Sequence, residues 1–294
     1  MSNINGQKHA TFVISTGRCA TQWFADKLAA HYQDLAIVRH EPIDGAYKPR
    51  FYFRAYNRRE NVEFSKAIKD HLSFIENAVR KSHYIEVGWP AYGALPFIIS
   101  RLNADVKVIH LYRHPANVAA SLTTHDVYSR GAWSESFAIS PSDYGVVQDC
   151  LQGKKWKAMS QFEKCLFWWT EINYWALNLR KTFEGVPWLS VKYEDVFSEN
   201  GGREIRKVLA FLSLPARGVF LNSLGDRIDR FSLKTDAKID ARSINNYPKA
   251  VELMQKLGYG LGDIDILNMK KRYTKPYHLR IARHLKRAIR CLPQ

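Results

Sequence analysis

A chain of 294 residues, 46% hydrophobic and 13% aromatic, can bury a full domain core, which excludes an intrinsically disordered protein. No run approaches the roughly 18 apolar residues of a membrane span, and the first residues lack the basic-then-apolar order of a secretory signal. The formal charge of +16 calls for an anionic partner, while the scattered cysteines Cys19, Cys150, Cys165 and Cys291 argue against a zinc site or disulfide framework and for a reducing, cytoplasmic compartment.

Thr11 to Ile14 is β-branched and aromatic, as in a buried strand. The chain then turns through Ser15-Thr16-Gly17, and Trp23, Phe24 and Leu28 fall on one face of a helix. A strand, a small-residue turn and a helix N-terminus together make an anion site, because free backbone N–H groups and the helix dipole both favour negative charge. Arg18 adds a forked donor suited to phosphate or sulfate oxygens. The order is not that of the nucleoside-triphosphate loop, G-x-x-x-x-G-K-[ST], since the basic residue directly follows the glycine.

Leu35 to Val38 reads as a second strand, running into Arg39-His40-Glu41-Pro42. Ala46 to Asn61 mixes Arg50, Arg54, Arg58 and Arg59 with aromatic residues, and reads as a solvated connection or a substrate loop. A helix is predicted over Ser65 to Val79, a third strand over Tyr84 to Val87, and a helix over Tyr92 to Leu102. Val106 to Tyr112 is the clearest strand, followed by Arg113-His114-Pro115 and a helix that carries Ser121. Residues 129–157 lack a period and read as an insertion or lid. Ser160 to Phe183 is a long aromatic helix, Val186 to Val191 a fifth strand ending at Tyr193-Glu194-Asp195, and helices follow over Gly202 to Leu212 and Tyr247 to Leu257.

Strands alternating with helices predict a single α/β domain over residues 1–268, with a central parallel sheet flanked by helices, and a basic amphipathic tail at 269–294. In such sheets ligands bind beyond the carboxyl ends of the strands. Arg18, His40-Glu41, Glu86 to Trp89, Arg113 and Tyr193-Glu194 therefore converge on one rim. Strands one and two are expected to be neighbours, which puts Glu41 beside the Arg18 turn.

Three segments in this order resemble the sulfotransferases that use 3′-phosphoadenosine-5′-phosphosulfate (PAPS). Gly17-Arg18-Cys19-Ala20-Thr21-Gln22-Trp23 is similar to their P-K-S-G-T-T-W loop, with Arg18 at the basic position. The strand ending at Tyr112 leads into Arg113-His114-Pro115 and then Ser121, the arginine-to-serine spacing of the family's 3′-phosphate motif. Tyr193-Glu194-Asp195, followed by a helix and Phe211-Leu212-Ser213-Leu214, is similar to its Y-E-D segment and F-L-x-L ending. The resemblance spans Thr11 to Tyr259 and implies a P-loop-like nucleotide-binding architecture. Cys19 and Ala20 depart from the usual serine and glycine. Glu86-Val87-Gly88 stands where cytosolic members carry K-T-H, and their C-terminal R-K-G segment is absent, with Lys234 or Lys238 as candidate replacements. His40-Glu41-Pro42 is similar to the E-P that follows strand two in carbohydrate and bacterial members.

The resemblance implies sulfuryl transfer to a hydroxyl or amine of a carbohydrate, lipid or other small molecule, without a metal. Arg18 and the backbone of Cys19, Ala20, Thr21 and Gln22 would stabilise the sulfuryl oxygens, Arg113 and Ser121 would take the 3′-phosphate, and Tyr193 would lie against the adenine. The candidate bases are Glu41, then Glu86, then His40. Nine basic and no acidic residues follow from Lys270 onward. The periodicity of residues 279–292 reads either as a helix packed on its own domain or as a peripheral contact with an anionic membrane face. The charge alone also fits a non-catalytic protein that binds nucleic acid or an anionic surface, but no recognised nucleic-acid motif accompanies it.

Overall fold

The computed structural model describes residues 8–43, 48–129, 137–143, 156–225 and 233–276. Its core is one sheet of five parallel strands: β1 (His9–Ile14), β2 (Ala36–His40), β3 (His83–Val87), β4 (Asp105–Tyr112) and β5 (Trp188–Lys192), in the order β2-β3-β1-β4-β5. Every residue of β1 is buried, as befits a central strand covered on both faces. The register aligns the carboxyl ends. Val13 lies opposite both Val87 and Ile109, His40 opposite Val87, and Tyr112 opposite Lys192, so five strands open onto one rim.

The helices are α1 (Thr21–Tyr32), α2 (Pro49–Asn57), α3 (Lys66–Lys81), α4 (Leu95–Arg101), α5 (Pro115–Thr124), α6 (Gln161–Thr182), α7 (Tyr193–Val196), α8 (Gly201–Phe211), α9 (Gly218–Asn222), α10 (Pro248–Lys256) and α11 (Ile266–Tyr273). α6 is a strut under the rim. A reciprocal capping box of Ser160 and Glu163 starts it. Three of its indole N–H groups then tie it to three rim turns: Trp168 donates to Thr16 O (2.9 Å), Trp169 to Arg113 O (2.9 Å) and Trp175 to Tyr92 O (2.8 Å). A buried indole needs a partner for its N–H, and here each partner is a turn carbonyl that the strands leave unpaired.

The structure corrects several expectations. β1 and β2 are not neighbours, because β3 lies between them; strand pairing is non-local, and short apolar runs carry no order of their own. Glu41 still reaches the rim, but from an edge strand. Residues 49–57 are not a connection. Tyr52, Phe53 and Ala55 are buried on one face of α2, while Arg50 and Arg54, four apart on another, both meet the Asp143 carboxylate. The helix predicted over Tyr92 to Leu102 is broken: a 3-10 turn at Pro90–Tyr92 precedes α4, which has Pro96 in its first turn. α11 runs across the predicted boundary at residue 268 and buries Met269 and Tyr273, so the packed body continues past it. Of the expected insertion, residues 129, 137–143 and 156–157 are described, with Phe137, Ala138 and Ile139 buried; its residues 130–136 and 144–155, and the amphipathic tail at 279–292, lie outside the described residues. Among the described residues no helix is long and apolar enough to cross a membrane.

Candidate active site

The turn after β1 is held in an uncommon conformation. Gly17 has φ 77°, and Arg18 (φ 60°) and Ala20 (φ 63°) share the left-handed region. For the two non-glycine residues this costs about 1–3 kcal/mol each, strain that persists only where surrounding bonds impose it. Those bonds are present. The Gly17 N–H donates to Ser15 Oγ (3.0 Å), the Cys19 thiol donates to Gly17 O (3.2 Å), and Arg113 Nη1 donates to Arg18 O (3.0 Å). Burial pushes the Cys19 thiol up to about 11, so it stays protonated and serves as an internal brace of the turn. Ala20 occupies the N-cap of α1 without a side-chain cap, which leaves the helix's first N–H groups without the usual side-chain acceptor. Thr21 opens the helix, Gln22 folds along it to Asp26 (2.7 Å), and Trp23 packs into the core.

Two arginines meet at this turn from different directions. Arg18 Nε donates to Ser121 Oγ (2.9 Å), joining the turn to α5. Arg113 emerges from the end of β4 and lies over the Tyr193 ring, 4.3 Å from its centroid. Burial works against its charge, but Tyr273, Tyr193, Cys19 and Glu194 together push its pKa above the ordinary arginine value, so it remains a buried cation. Glu194, which accepts from His114 N (3.1 Å) and Tyr259 OH (2.6 Å), fixes the segment carrying Tyr193.

Around this cation sit polar atoms the protein itself leaves unsatisfied. Arg113 Nε, Trp23 Nε1 and Tyr273 OH are buried without a hydrogen-bond partner among the described residues. Tyr273 interacts electrostatically with Arg113, which lies over Tyr193; Trp23 is further off, packing on Phe197 (5.1 Å), which in turn packs on Tyr193 (4.8 Å). Buried donors without partners are costly, so a set of them around a buried guanidinium fits an anionic nucleotide bearing phosphate oxygens and a base. Tyr273 was not legible from sequence, since it reaches the site from the far end of the chain.

The second side of the rim carries the carboxylates. His40 ends β2, and its Nε2 stands 3.5 Å from Thr21 Oγ1 and 3.6 Å from Glu41 Oε1. Glu41 has φ 47°, its N–H donates to Val87 O (3.2 Å), and its side chain passes directly over Gly88. The structure therefore brings His40 and Glu41 to the first turn of α1. It does not bring Glu86 there. Glu86 lies within β3, opposite Phe12, is buried, and its Oε2 is within 2.7 Å of His71 Nε2 while accepting from Tyr84 OH (2.8 Å). Lys234 is exposed and makes no contact with Arg18 or Arg113 among the described residues, although the next residue, Thr235, donates to Tyr273 O (2.9 Å).

Sequence reasoning missed a cavity of about 120 Å³ beside the Gly17–Arg18 turn. Trp89 closes on Gly17, where a Cβ would meet Trp89 Cγ at 3.4 Å, and His125, just beyond α5, is part of the wall. Burial first, and then the Arg18 charge, push His125 down to about 4, so its ring is neutral at physiological pH.

A model of the sulfotransferase domain matches residues 8–252, most of the chain, and the chain belongs to the sulfotransferase family. No curated protein matches it in sequence. Among solved structures it is similar to a sulfotransferase domain from the curacin biosynthetic pathway, at 16% identity, covering 86% of this chain and 98% of that one with a TM-score of 0.48. It is also similar to a sulfotransferase from Alicyclobacillus acidocaldarius, at 13% identity, 88% and 98% coverage and a TM-score of 0.48. A third is a mouse sulfotransferase complexed with adenosine 3′,5′-bisphosphate (PAP), at 16% identity, 86% and 84% coverage and a TM-score of 0.40. The family uses PAPS, and the chain is accordingly a PAPS-dependent sulfotransferase.

Proposed function

We propose that this chain moves the sulfuryl group to a hydroxyl or amine of a small-molecule, lipid or glycan acceptor, and that its residues divide the work by side of the rim. The observation that carries this reading is the cluster of buried, unpartnered donors around Arg113, beside a helix N-terminus that has no side-chain cap. Arg113, Ser121 and Tyr273 would hold the 3′-phosphate, with Tyr193 and Trp23 against the base. Gly17, Arg18 and the backbone N–H groups of Cys19, Ala20, Thr21 and Gln22 would face the 5′ end. Lys234 is a further candidate contact through its neighbour's bond to Tyr273.

The bound nucleotide supplies the sulfuryl group: the acceptor oxygen bonds sulfur as the sulfur–oxygen bond to the 5′-phosphate breaks and that phosphate keeps the electron pair. What the chain contributes is position and charge. Arg18 and the turn's N–H groups stabilise negative charge as it builds, each such donor being worth on the order of 3 kcal/mol in the barrier. Glu41 accepts the acceptor's proton, with His40 beside it to hold the carboxylate and share the charge. Glu86 takes no part in this scheme, because its carboxylate is already committed to His71 and Tyr84. The buried free thiols Cys19 and Cys165 agree with a reducing compartment. The three basic residues in the last turn of α11 support a peripheral contact with an anionic membrane face through 279–292 as the role of the tail.

Transfer of labelled sulfate from PAPS to a panel of hydroxyl and amine acceptors tests the reading. It predicts acceptor-dependent release of PAP without added metal. Release that requires a divalent ion, or that favours ATP as donor, would contradict it.

A further inference from the structure

The cavity beside the Gly17–Arg18 turn is apolar where a sugar site would have to be polar. Trp89, Leu122, Val127, Phe137, Ala138 and Trp168 supply most of its wall. The polar groups among its lining are largely committed elsewhere: the Trp168 N–H to Thr16 O (2.9 Å) and the Thr16 hydroxyl to Gly17 O (3.2 Å). His125 contributes a neutral ring rather than a charge. The wall is also fixed in place. The Trp89 ring packs against Phe137 (5.5 Å) and Trp168 (5.8 Å). The short segment bearing Phe137 and Ala138 is pinned by Tyr92 OH donating to Phe137 O (2.9 Å) and by Tyr128 OH donating to Ile139 O. Asp143 then anchors the segment's far end, accepting from Arg50 Nε (2.9 Å) and Ser140 N (2.7 Å). A buried charge pair of this kind sets position at the expense of adaptability.

Size narrows the class further. A volume of about 120 Å³ is a little under the roughly 150 Å³ of an apolar cavity that admits benzene. Resting on the sulfotransferase reading above, we infer that the acceptor is a compact phenol or apolar alcohol, one ring or a short branched chain, whose hydrocarbon body fills this cavity and whose hydroxyl meets the Arg18 turn. A pyranose has a similar girth but carries hydroxyls all round its ring. Those hydroxyls would be stripped of water against Trp89, Leu122 and Phe137 with nothing to replace it.

The test uses the full chain with labelled PAPS and equal concentrations of 4-methylphenol, cyclohexanol, glucose and N-acetylglucosamine. The ring alcohols are expected to exceed the sugars in kcat/KM by at least about 100-fold. Ala138→Phe, which fills the cavity, should lower kcat/KM for 4-methylphenol by at least about tenfold and leave PAP affinity unchanged. Saturation-transfer NMR on the unaltered chain gives a readout independent of turnover and of any variant's folding, and should show 4-methylphenol bound. Sugars used as well as ring alcohols, or no contact with 4-methylphenol while PAP binds normally, would overturn the proposal and leave the donor reading intact. Failure to bind PAP would remove both.

Discussion

Replacing Gly88 by alanine should disable Glu41 without touching either residue's charge. An alanine Cβ at 88 would lie 2.5 Å from Glu41 Cγ, 3.4 Å from Glu41 N and 3.4 Å from Pro90 Cδ. The first distance is closer than atoms can approach, so something must yield. Glu41's backbone is tied through its N–H to Val87 O, and Pro90 is rigid, which leaves the Glu41 side chain to swing aside. A misplacement of about 1 Å in a reacting group can cost about 100-fold, and removal of a general base costs about 100- to 10,000-fold. We therefore expect Gly88→Ala to lower kcat by at least about 100-fold, with PAP affinity and melting behaviour close to those of the unaltered chain. The decisive arm is a double-mutant cycle with Glu41→Gln. If Gly88→Ala acts through Glu41, the double variant is no slower than Glu41→Gln alone. Near-normal turnover in Gly88→Ala, or losses that multiply in the double variant, would refute this assignment of the base.

Other expectations follow from the same geometry. Arg18→Met removes both the charge facing the 5′ end and the bond to Ser121, and should lower kcat roughly 100- to 1,000-fold in a single-turnover assay. Glu86→Gln should instead lower stability by about 1–3 kcal/mol in denaturant unfolding, with kcat per folded molecule preserved, because its bonds to His71 and Tyr84 are internal to the sheet's cover. Acid should weaken the fold in a defined window. His110 and His114, like His125, are pushed from 6.5 down to about 4, chiefly by burial. Below pH 6.5 the unfolded chain therefore binds protons that the folded chain does not, and stability falls as pH drops toward about 4. For the fully buried His110 alone the loss is on the order of 3 kcal/mol, and His110→Asn should flatten that part of the unfolding-versus-pH curve.

Much of the fold was legible because its signals are local. The β1–turn–α1 unit declares itself through a β-branched run, Gly17 and a helical stripe; Arg113 and Tyr193 follow from their places just after predicted strands, and Ser121 from the resemblance of its segment to the family's 3′-phosphate motif. The rest depends on contacts that no local pattern encodes. The strand order that puts β3 between β1 and β2 is one case. Glu86 is another: only the fold shows that His71, fifteen residues back on α3, consumes its carboxylate. In α2 the aromatic residues obscured an amphipathic period that Arg50 and Arg54 do carry, since Asp143, the partner that explains them, comes from a distant segment. The apolar cavity is assembled from the turns after β1 and β3, the end of α5, residues 137–138 and α6, so no single stretch announces it. Tyr273 and the unsatisfied groups near it are visible only when the two ends of the chain are packed together.

Calorimetry of PAP with the full chain in the presence of a chelator tests the central claim most directly. If the cluster around Arg113 holds the 3′-phosphate, PAP binds without metal, adenosine 5′-phosphate binds far more weakly, and Arg113→Met costs about 2–5 kcal/mol, roughly thirty- to several-thousand-fold in Kd. Equal affinity for the two nucleotides, or an Arg113→Met variant that binds PAP as tightly as the unaltered chain, would contradict the account.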